Sequence, residues 1–189
     1  MQMRTVRGRN VNETYTIGMN LLAAEGVLEM SRAGPVRTLP EPVTTVYERP
    51  CERVLFNKQR DANPFFHLLE SLWMLSGRND VKWLAEYNST IHQFSDNGET
   101  FHGAYGHRWR EHFGKDQLLE VVKLLKKDPE TRRAALGMWD PIADCNADGK
   151  DFPCNMQIVF RWRPHGLDMT VYNRSNDIIW GAHISPDHA

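Results

Sequence analysis

The residue best suited to covalent chemistry is Cys154, which follows Pro153 at the start of a predicted strand. A cysteine there can project from the rim of a sheet into a cleft, and nearby positive charge makes it nucleophilic by favouring its thiolate. Arg174 supplies that charge if the strands after Cys154 form a hairpin, because the chain then returns to the same sheet end. A lone cysteine is more commonly a small core residue, so this prediction depends on its neighbours.

Arginines and a serine form a candidate phosphate site. Arg132 and Arg133 follow the fourth predicted helix, and Arg174 is followed directly by Ser175. Guanidinium groups bind phosphate oxygens through paired hydrogen bonds. The alternative for Arg132 and Arg133 is a solvated helix end, where cations complement the helix dipole. The residue types alone leave both interpretations open.

Three further polar residues could assist such a site. Glu70 lies on a predicted helix beside Phe66 and Trp73, where burial would raise the carboxyl pKa toward the range useful for proton transfer; an exposed edge position is the alternative. Asp177 precedes an apolar run and could cap a helix or accept an N–H from a heterocycle. Tyr105 stands between alanine and glycine in a glycine-rich segment and could face a cleft.

Composition excludes several classes of protein. The three cysteines have no CxxC spacing and the eight histidines no HExxH spacing, which argues against a disulfide framework and a standard zinc site, so we expect no metal and a reducing, cytoplasmic setting. The net charge of -1 provides no general field for DNA. No apolar run approaches the ~20 residues of a membrane span, and the N-terminus lacks a signal-peptide core.

The predicted elements are mainly helices first and strands afterwards. Helices are predicted over 12–30, 64–76, 80–87 and 116–127, and strands over 43–46, 134–139, 156–161 and 167–172. The second helix is apolar on so many sides that we expect it to be buried on most of them. Residues 141–152 are predicted to be an exposed polar loop. This order favours an α+β domain with an antiparallel or mixed sheet, and 189 residues suffice for one domain.

The order of these segments resembles the thymidylate synthases and their hydroxymethylase relatives. The matching segments are Glu70 before Leu72-Trp73, Ala104-Tyr105-Gly106 with Trp109-Arg110, Asp128-Pro129-Glu130-Thr131-Arg132-Arg133, Trp139-Asp140-Pro141, Pro153-Cys154-Asn155, and Tyr172-Asn173-Arg174-Ser175-Asn176-Asp177, closing at Gly181. The resemblance covers about 63–181. It implies an α+β fold with a large mixed sheet flanked by helices, a single domain over 1–189, and an obligate homodimer.

The resemblance implies one-carbon transfer from 5,10-methylenetetrahydrofolate to C5 of a deoxypyrimidine monophosphate. Cys154 would add to C6 of the ring, Glu70 would relay protons through water, and Tyr105 would lie beside Cys154. The phosphate would be held by Arg174 with Ser175, by Arg132 and Arg133 of the neighbouring subunit, and by Arg32. Asp177 and Gly181 would belong to the folate site.

The departures from the family pattern identify a divergent, phage-type member. Asn155 stands where the family usually has histidine, and residues 91–94 replace a tryptophan-rich stretch that faces folate. The chain ends eight residues after Gly181, whereas family members continue, so we expect an incomplete C-terminal part and marginal stability. Conversion of dUMP to dTMP is the first hypothesis. Hydroxymethylation of dUMP or dCMP is the second, and an inactive remnant that binds nucleotide or dimerises is the third.

Overall fold

The structure is a computed structural model that describes residues 3–31 and 34–181. It divides into two compact units: one takes in the chain up to His67 and again from Asp177, and the other runs from Leu68 to Asn176. Both helices and strands are present, which confirms the predicted α+β class. Within the described ranges, no helix is long and apolar enough to cross a membrane.

The first unit contains one long helix and two small sheets. Its elements are β1 (Arg4–Gly8), α1 (Val11–Glu25), β2 (Val27–Ser31), β3 (Gly34–Thr38) and β4 (Val43–Tyr47). Strand β1 pairs in parallel with β4, and β2 pairs antiparallel with β3. The extended segment predicted over 43–46 is therefore confirmed.

Helix α1 begins at a side-chain cap and ends earlier than predicted. The Asn10 side chain accepts hydrogen bonds from the N–H groups of Asn12 and Glu13, which satisfies two of the free donors at the helix start. The prediction that the helix continues to residue 30 is wrong. Gly26 adopts an extended conformation, and the residues after it form β2, because pairing with β3 outweighs their helical spacing. Val11 and Tyr15 on the buried face of the helix pack with Leu55 in a small core.

The second unit contains short helices and a three-stranded antiparallel sheet. Helix α2 (Pro64–Leu75) leads into it, followed by α3 (Val81–Ala85), a 3-10 turn (Ile91–Phe94), α4 (Tyr105–His107) with a π-helical continuation (Arg108–His112), α5 (Gln117–Lys127), β5 (Ala135–Gly137), α6 (Pro141–Asp144), β6 (Asn155–Arg163) and β7 (Gly166–Asn173). The sheet order is β5-β6-β7.

Helix α2 is buried on one face only. Its predicted start is confirmed, since Asn63 accepts hydrogen bonds from the N–H groups of the first turn. Trp73 is buried and meets Phe101 edge-to-face at 5.9 Å between ring centroids. Phe65 and Leu68 are 77% and 55% exposed. The prediction of burial on most sides is therefore wrong for the described chain, because nothing within it covers the opposite face.

The hairpin of β6 and β7 confirms the arrangement predicted from the sequence. Its turn uses Gly166 at a φ of 136°, a region that glycine enters readily. The register pairs Asn155 with Asn173, so the start of β6 and the end of β7 lie side by side. Strand β5 pairs with β6 on its other edge. Chemistry-bearing residues just outside β6 and β7 are thus brought to one end of the sheet.

A glycine at the start of α4 allows this helix to pass close to the end of α2. A Cβ added to Gly106 would overlap the backbone of Met74, which cannot move aside like a flexible side chain. We expect Gly106→Ala to lower the free energy of unfolding by about 1–3 kcal/mol, measured by chemical denaturation. Gly137→Ala is the matched control, because a Cβ there meets no atom within 4 Å. Equal stability of the two variants would contradict the close packing.

Candidate active site

Cys154 lies immediately before β6, half-buried, with Tyr105 beside it. The Cys154 N–H donates a hydrogen bond to the Tyr105 hydroxyl oxygen at 3.2 Å. Tyr105 is the first residue of α4, and the glycine after it permits the close approach of that helix to α2. The structure therefore brings together two of the residues predicted for the site.

Arg174 returns to the same end of the sheet. Its backbone N–H donates to the Cys154 carbonyl at 3.0 Å. Its side chain donates from Nε to the Pro153 carbonyl at 2.9 Å and from Nη2 to the Phe152 carbonyl at 3.2 Å. The Nη1 group makes no hydrogen bond to any residue that the structure describes. The sequence-based expectation that the hairpin carries Arg174 back to Cys154 is confirmed.

The aromatic ring of Trp139 lies against the same guanidinium. The Arg174 Cζ atom is 5.5 Å from the centre of the Trp139 ring, within cation–π distance. Trp139 is the second residue after β5, and the segment Trp139-Asp140-Pro141 leads into α6. The functional environment of Arg174 thus includes a residue to which the sequence assigned no separate role.

The other predicted phosphate residues are exposed and make fewer contacts. Arg132 and Arg133 lie beyond the end of α5 at Lys127, outside the last turn where cations complement the helix dipole most, and their exposure fits the solvated alternative. Neither guanidinium has an ion pair with a described residue. Ser175 is also exposed. The position of Arg32 lies outside the described residues.

Glu70 and Asp177 occupy different structural settings. Glu70 is half-buried on α2, one turn before the buried Trp73. The Asp177 carboxylate accepts hydrogen bonds from the N–H groups of Ile179 at 2.7 Å and Trp180 at 2.9 Å. The Gly181 N–H donates to the Asp177 carbonyl at 2.8 Å. The capping interpretation of Asp177 is thus correct, although it caps a turn and not a helix.

A further contact of this turn was not recognised from the sequence. Arg60 Nε donates to the Ile179 carbonyl at 3.0 Å, and its guanidinium lies 4.1 Å from the centre of the Trp180 ring. The two partners are 119 positions apart, so no local pattern could have paired them. Within the first unit, Arg60 therefore fixes the turn that Asp177 caps.

Two carboxylates hold the segment that precedes Cys154. Asp96 accepts from the Lys150 N–H at 3.0 Å, and Asp151 accepts from the Gly103 N–H at 3.1 Å. Burial raises the pKa of Asp151, and the negative charge of Asp96 raises it further. These bonds attach the segment before Cys154 to the loop that leads into α4.

A buried ion pair lies behind this segment. The side chains of Arg108 and Asp144 are both fully buried and form two hydrogen bonds, at 2.8 and 3.0 Å. Asp144 also accepts from the Asp140 N–H at 2.8 Å and bonds the ring of His102 at 2.7 Å. Burial alone raises the pKa of Asp144, but the hydrogen bonds, chiefly from Arg108, outweigh it and lower that pKa.

The prediction that 141–152 is an exposed polar loop is wrong for α6 and its buried Asp144, whereas residues 145–150 are exposed as predicted. Asp140 accepts from the N–H groups of the first turn of α6, and Pro141 follows it as the first helical residue. A capping aspartate before proline is a recognisable helix start, so this signal was present in the sequence. The pairing of Asp144 with Arg108 was not detectable, because it depends on chain segments 36 positions apart.

Beside the buried pair lies a polar cleft of about 350 Å³. Its walls include His102, His107 and His112. Within the described ranges, no group of three or more histidine, cysteine, aspartate or glutamate side chains is arranged to hold a metal ion.

Comparison with known proteins identifies relatives over most of the chain. A sequence profile of the thymidylate synthase family matches residues 58–185. A deoxyuridylate hydroxymethyltransferase of Pseudomonas phage M6 is 55% identical over 182 residues, covering 96% of this chain and 52% of that protein. The protein of the same name from Bacillus phage SP01 is 38% identical, covering 95% of this chain and 49% of the relative.

A solved structure is also similar. The thymidylate synthase of T4 phage aligns with a TM-score of 0.50 and 27% identity, over 64% of this chain and 47% of that one. The chain spans about half the length of these two phage relatives. The profile match and the phage relatives together show that this chain belongs to the thymidylate synthase family.

Proposed function

We propose that this chain takes part in the transfer of a one-carbon unit from 5,10-methylenetetrahydrofolate to C5 of a deoxypyrimidine monophosphate, with dUMP as the substrate. The observation that carries the proposal is the arrangement around Cys154, which has Tyr105 bonded to its N–H and Arg174 bonded to the segment before it. A nucleophile and a cation held together at a strand end suit covalent catalysis. Membership of the family supports the same chemistry.

In the proposed reaction, the Cys154 sulfur forms a bond to C6 of the pyrimidine, and the electron pair of the C5–C6 double bond moves toward the ring carbonyl. C5 then attacks the methylene carbon of the folate, whose bond to N10 breaks while its bond to N5 remains. Loss of the C5 proton to a base and cleavage of the bond to N5 then leave an exocyclic methylene at C5 and tetrahydrofolate. After that methylene has taken up hydride or water, Cys154 is expelled from C6. Glu70 is the proposed group for relaying protons through water.

The other predicted residues keep their proposed roles. Arg174 uses Nη1, which makes no hydrogen bond to a described residue, for the nucleotide phosphate, together with Ser175. In a homodimer, the partner subunit's Arg132 and Arg133 add to the same phosphate; their exposure and lack of ion pairs within the described chain support an intermolecular role. Arg32 is proposed as a further phosphate ligand, and Asp177 and Gly181 as contacts of the folate.

Methylation and hydroxymethylation share the steps up to the exocyclic methylene and differ in what that carbon then takes up. In a synthase, the folate donates a hydride to the exocyclic methylene and leaves as dihydrofolate. In a hydroxymethylase, water adds there and the folate leaves as tetrahydrofolate, with no net oxidation. The names of the phage relatives favour hydroxymethylation as the second candidate, and they favour dUMP over dCMP. Formation of dTMP remains the first hypothesis from the family as a whole.

We also propose that the enzyme acts in the cytoplasm, without DNA or membrane partners. Cys51, Cys145 and Cys154 are unpaired, which suits a reducing compartment. The formal net charge of -1 gives no general attraction to a polyanion.

The proposal is tested by trapping. The chain is incubated with 5-fluoro-dUMP and 5,10-methylenetetrahydrofolate, and the intact protein is weighed. Fluorine at C5 cannot leave as a proton does, so a productive complex stops as a covalent protein–nucleotide–folate adduct. We expect a mass gain equal to both ligands, and then 5-methyl or 5-hydroxymethyl product from dUMP itself. No adduct with either 5-fluoro-dUMP or 5-fluoro-dCMP would support the inactive, nucleotide-binding remnant instead.

A further inference from the structure

The side chain of Arg174 is held in one orientation, which its proposed role in phosphate binding does not explain. The side chain is largely exposed, yet two of its nitrogen atoms donate to the backbone carbonyls of Phe152 and Pro153. Both carbonyls belong to the two residues that directly precede Cys154. An exposed arginine has several competing rotamers and loses considerable conformational freedom when it is held in one. Some other contact must favour this orientation.

Trp139 supplies that contact. Its ring lies 5.5 Å from the Arg174 Cζ atom, so its electron-rich face can attract the guanidinium while covering part of its apolar plane. The carbonyls of Phe152 and Pro153 hold the donor edge of the same group. Together they restrict both the direction and the plane of the side chain and leave Nη1 available.

Trp139 is itself attached to the most buried part of the unit. The preceding residue, Met138, is fully buried and its N–H donates to the Met156 carbonyl of β6 at 2.9 Å. The following residue, Asp140, donates its N–H to Asp144, the carboxylate paired with buried Arg108. The backbone on both sides of the indole is therefore held independently of Arg174, so the ring provides a fixed surface.

We propose that Trp139 is a positioning residue: it holds the Arg174 guanidinium against the two residues that precede Cys154, and so fixes a cation to the segment that carries the nucleophile. This inference rests on the proposed function for its biological use. Its direct consequence, the reactivity of the Cys154 thiol, can be measured without nucleotide or folate.

The test measures the alkylation of Cys154 by iodoacetamide in the full chain, with peptide mapping to separate it from Cys51 and Cys145. We expect Trp139→Leu to slow alkylation at neutral pH by about 3- to 10-fold, the range of a cation–π contact in a partly desolvated site. Trp139→Phe keeps an aromatic face and should retain most of the rate. Trp162→Leu, a 58% exposed tryptophan of β6, is the matched control and should change nothing.

A double-mutant cycle with Arg174→Ala separates positioning from general damage to the fold. If Trp139 acts through Arg174, neither Trp139→Leu nor Trp139→Phe slows alkylation further once Arg174 is removed. An equal slowing with and without Arg174 would overturn the inference. If Trp139→Leu does not fold, the same cycle is completed with Trp139→Phe, and the test still gives a result. Failure of the trapping experiment with a positive cycle would refute the proposed function and leave the positioning role intact.

Discussion

A Cys154→Ala variant is expected to form no covalent adduct with 5-fluoro-dUMP and folate, and to lose any turnover of dUMP by at least about 10³-fold. Alanine has no atom that can bond to C6 of the pyrimidine, so the route through nucleophilic addition is removed and not merely slowed. Intact-protein mass spectrometry measures the adduct, and isotope-labelled dUMP measures the turnover. The half-buried position of Cys154 predicts little accompanying loss of stability.

The two exposed cysteines provide the control for this experiment. A Cys51→Ser, Cys145→Ser double variant keeps Cys154 as the one remaining thiol and should form the adduct at the normal extent. Adduct formation that survives Cys154→Ala but disappears in the double variant would identify a different nucleophile. It would also remove the basis of the proposed function.

Asp144→Asn is expected to lower the free energy of unfolding by about 3–5 kcal/mol, because it leaves the guanidinium of Arg108 buried without a counter-charge. Both side chains have no exposed area, so water cannot replace the lost partner. The carboxylate also fixes the backbone of Asp140 and the ring of His102, and the amide can satisfy these bonds only in part. Chemical denaturation or the melting temperature measures the loss.

Asp168→Asn is the matched control for Asp144→Asn. It removes a carboxylate from an exposed pair with Arg163 and should lower the free energy of unfolding by less than about 1 kcal/mol. The pH dependence supplies a second check. Since the folded-state pKa of Asp144 is lowered, its stabilisation is fully present above the unfolded pKa and is lost as pH falls through the folded pKa. The stability difference between wild type and Asp144→Asn should therefore narrow below about pH 4. If the stability difference between wild type and Asp144→Asn does not change in acid, Asp144 is not the charged partner that stabilises Arg108.

Elements with strong local signals were predicted correctly. Asn63-Pro64 marks the start of α2, Asp116 caps α5, and the turn at Gly166 closes the β6–β7 hairpin. Each depends on a side chain bonding its own backbone or on glycine conformation, which act within a few residues. The end of α1 was wrong because strand pairing outweighed helical spacing. The burial of α2 was wrong because periodicity shows which residues are apolar and not what covers them.

The site residues divide in the same way, into those that local signals predict and those that depend on long-range contacts. Cys154 and Arg174 could be placed at one sheet end because a hairpin fixes that relation, and family resemblance added Tyr105. Trp139, which lies against Arg174, and the buried pair of Arg108 with Asp144 make their contacts across long separations in sequence. The polarity of 141–152, the segment that contains Asp144, led to its prediction as an exposed loop. Only folding reveals that Asp144 is the buried acceptor of four hydrogen bonds.

The bonds from Arg174 to the carbonyls of Phe152 and Pro153 also determine at which stage this side chain loses its conformational entropy. They join the guanidinium to backbone and need no ligand, so the loss occurs on folding and does not weaken the later capture of an anion. Lysine could not substitute, because a single ammonium on a flexible stem cannot span both carbonyls and still face outward. The anion would thus encounter a preorganised receptor, joined by two hydrogen bonds to the segment that carries the thiol.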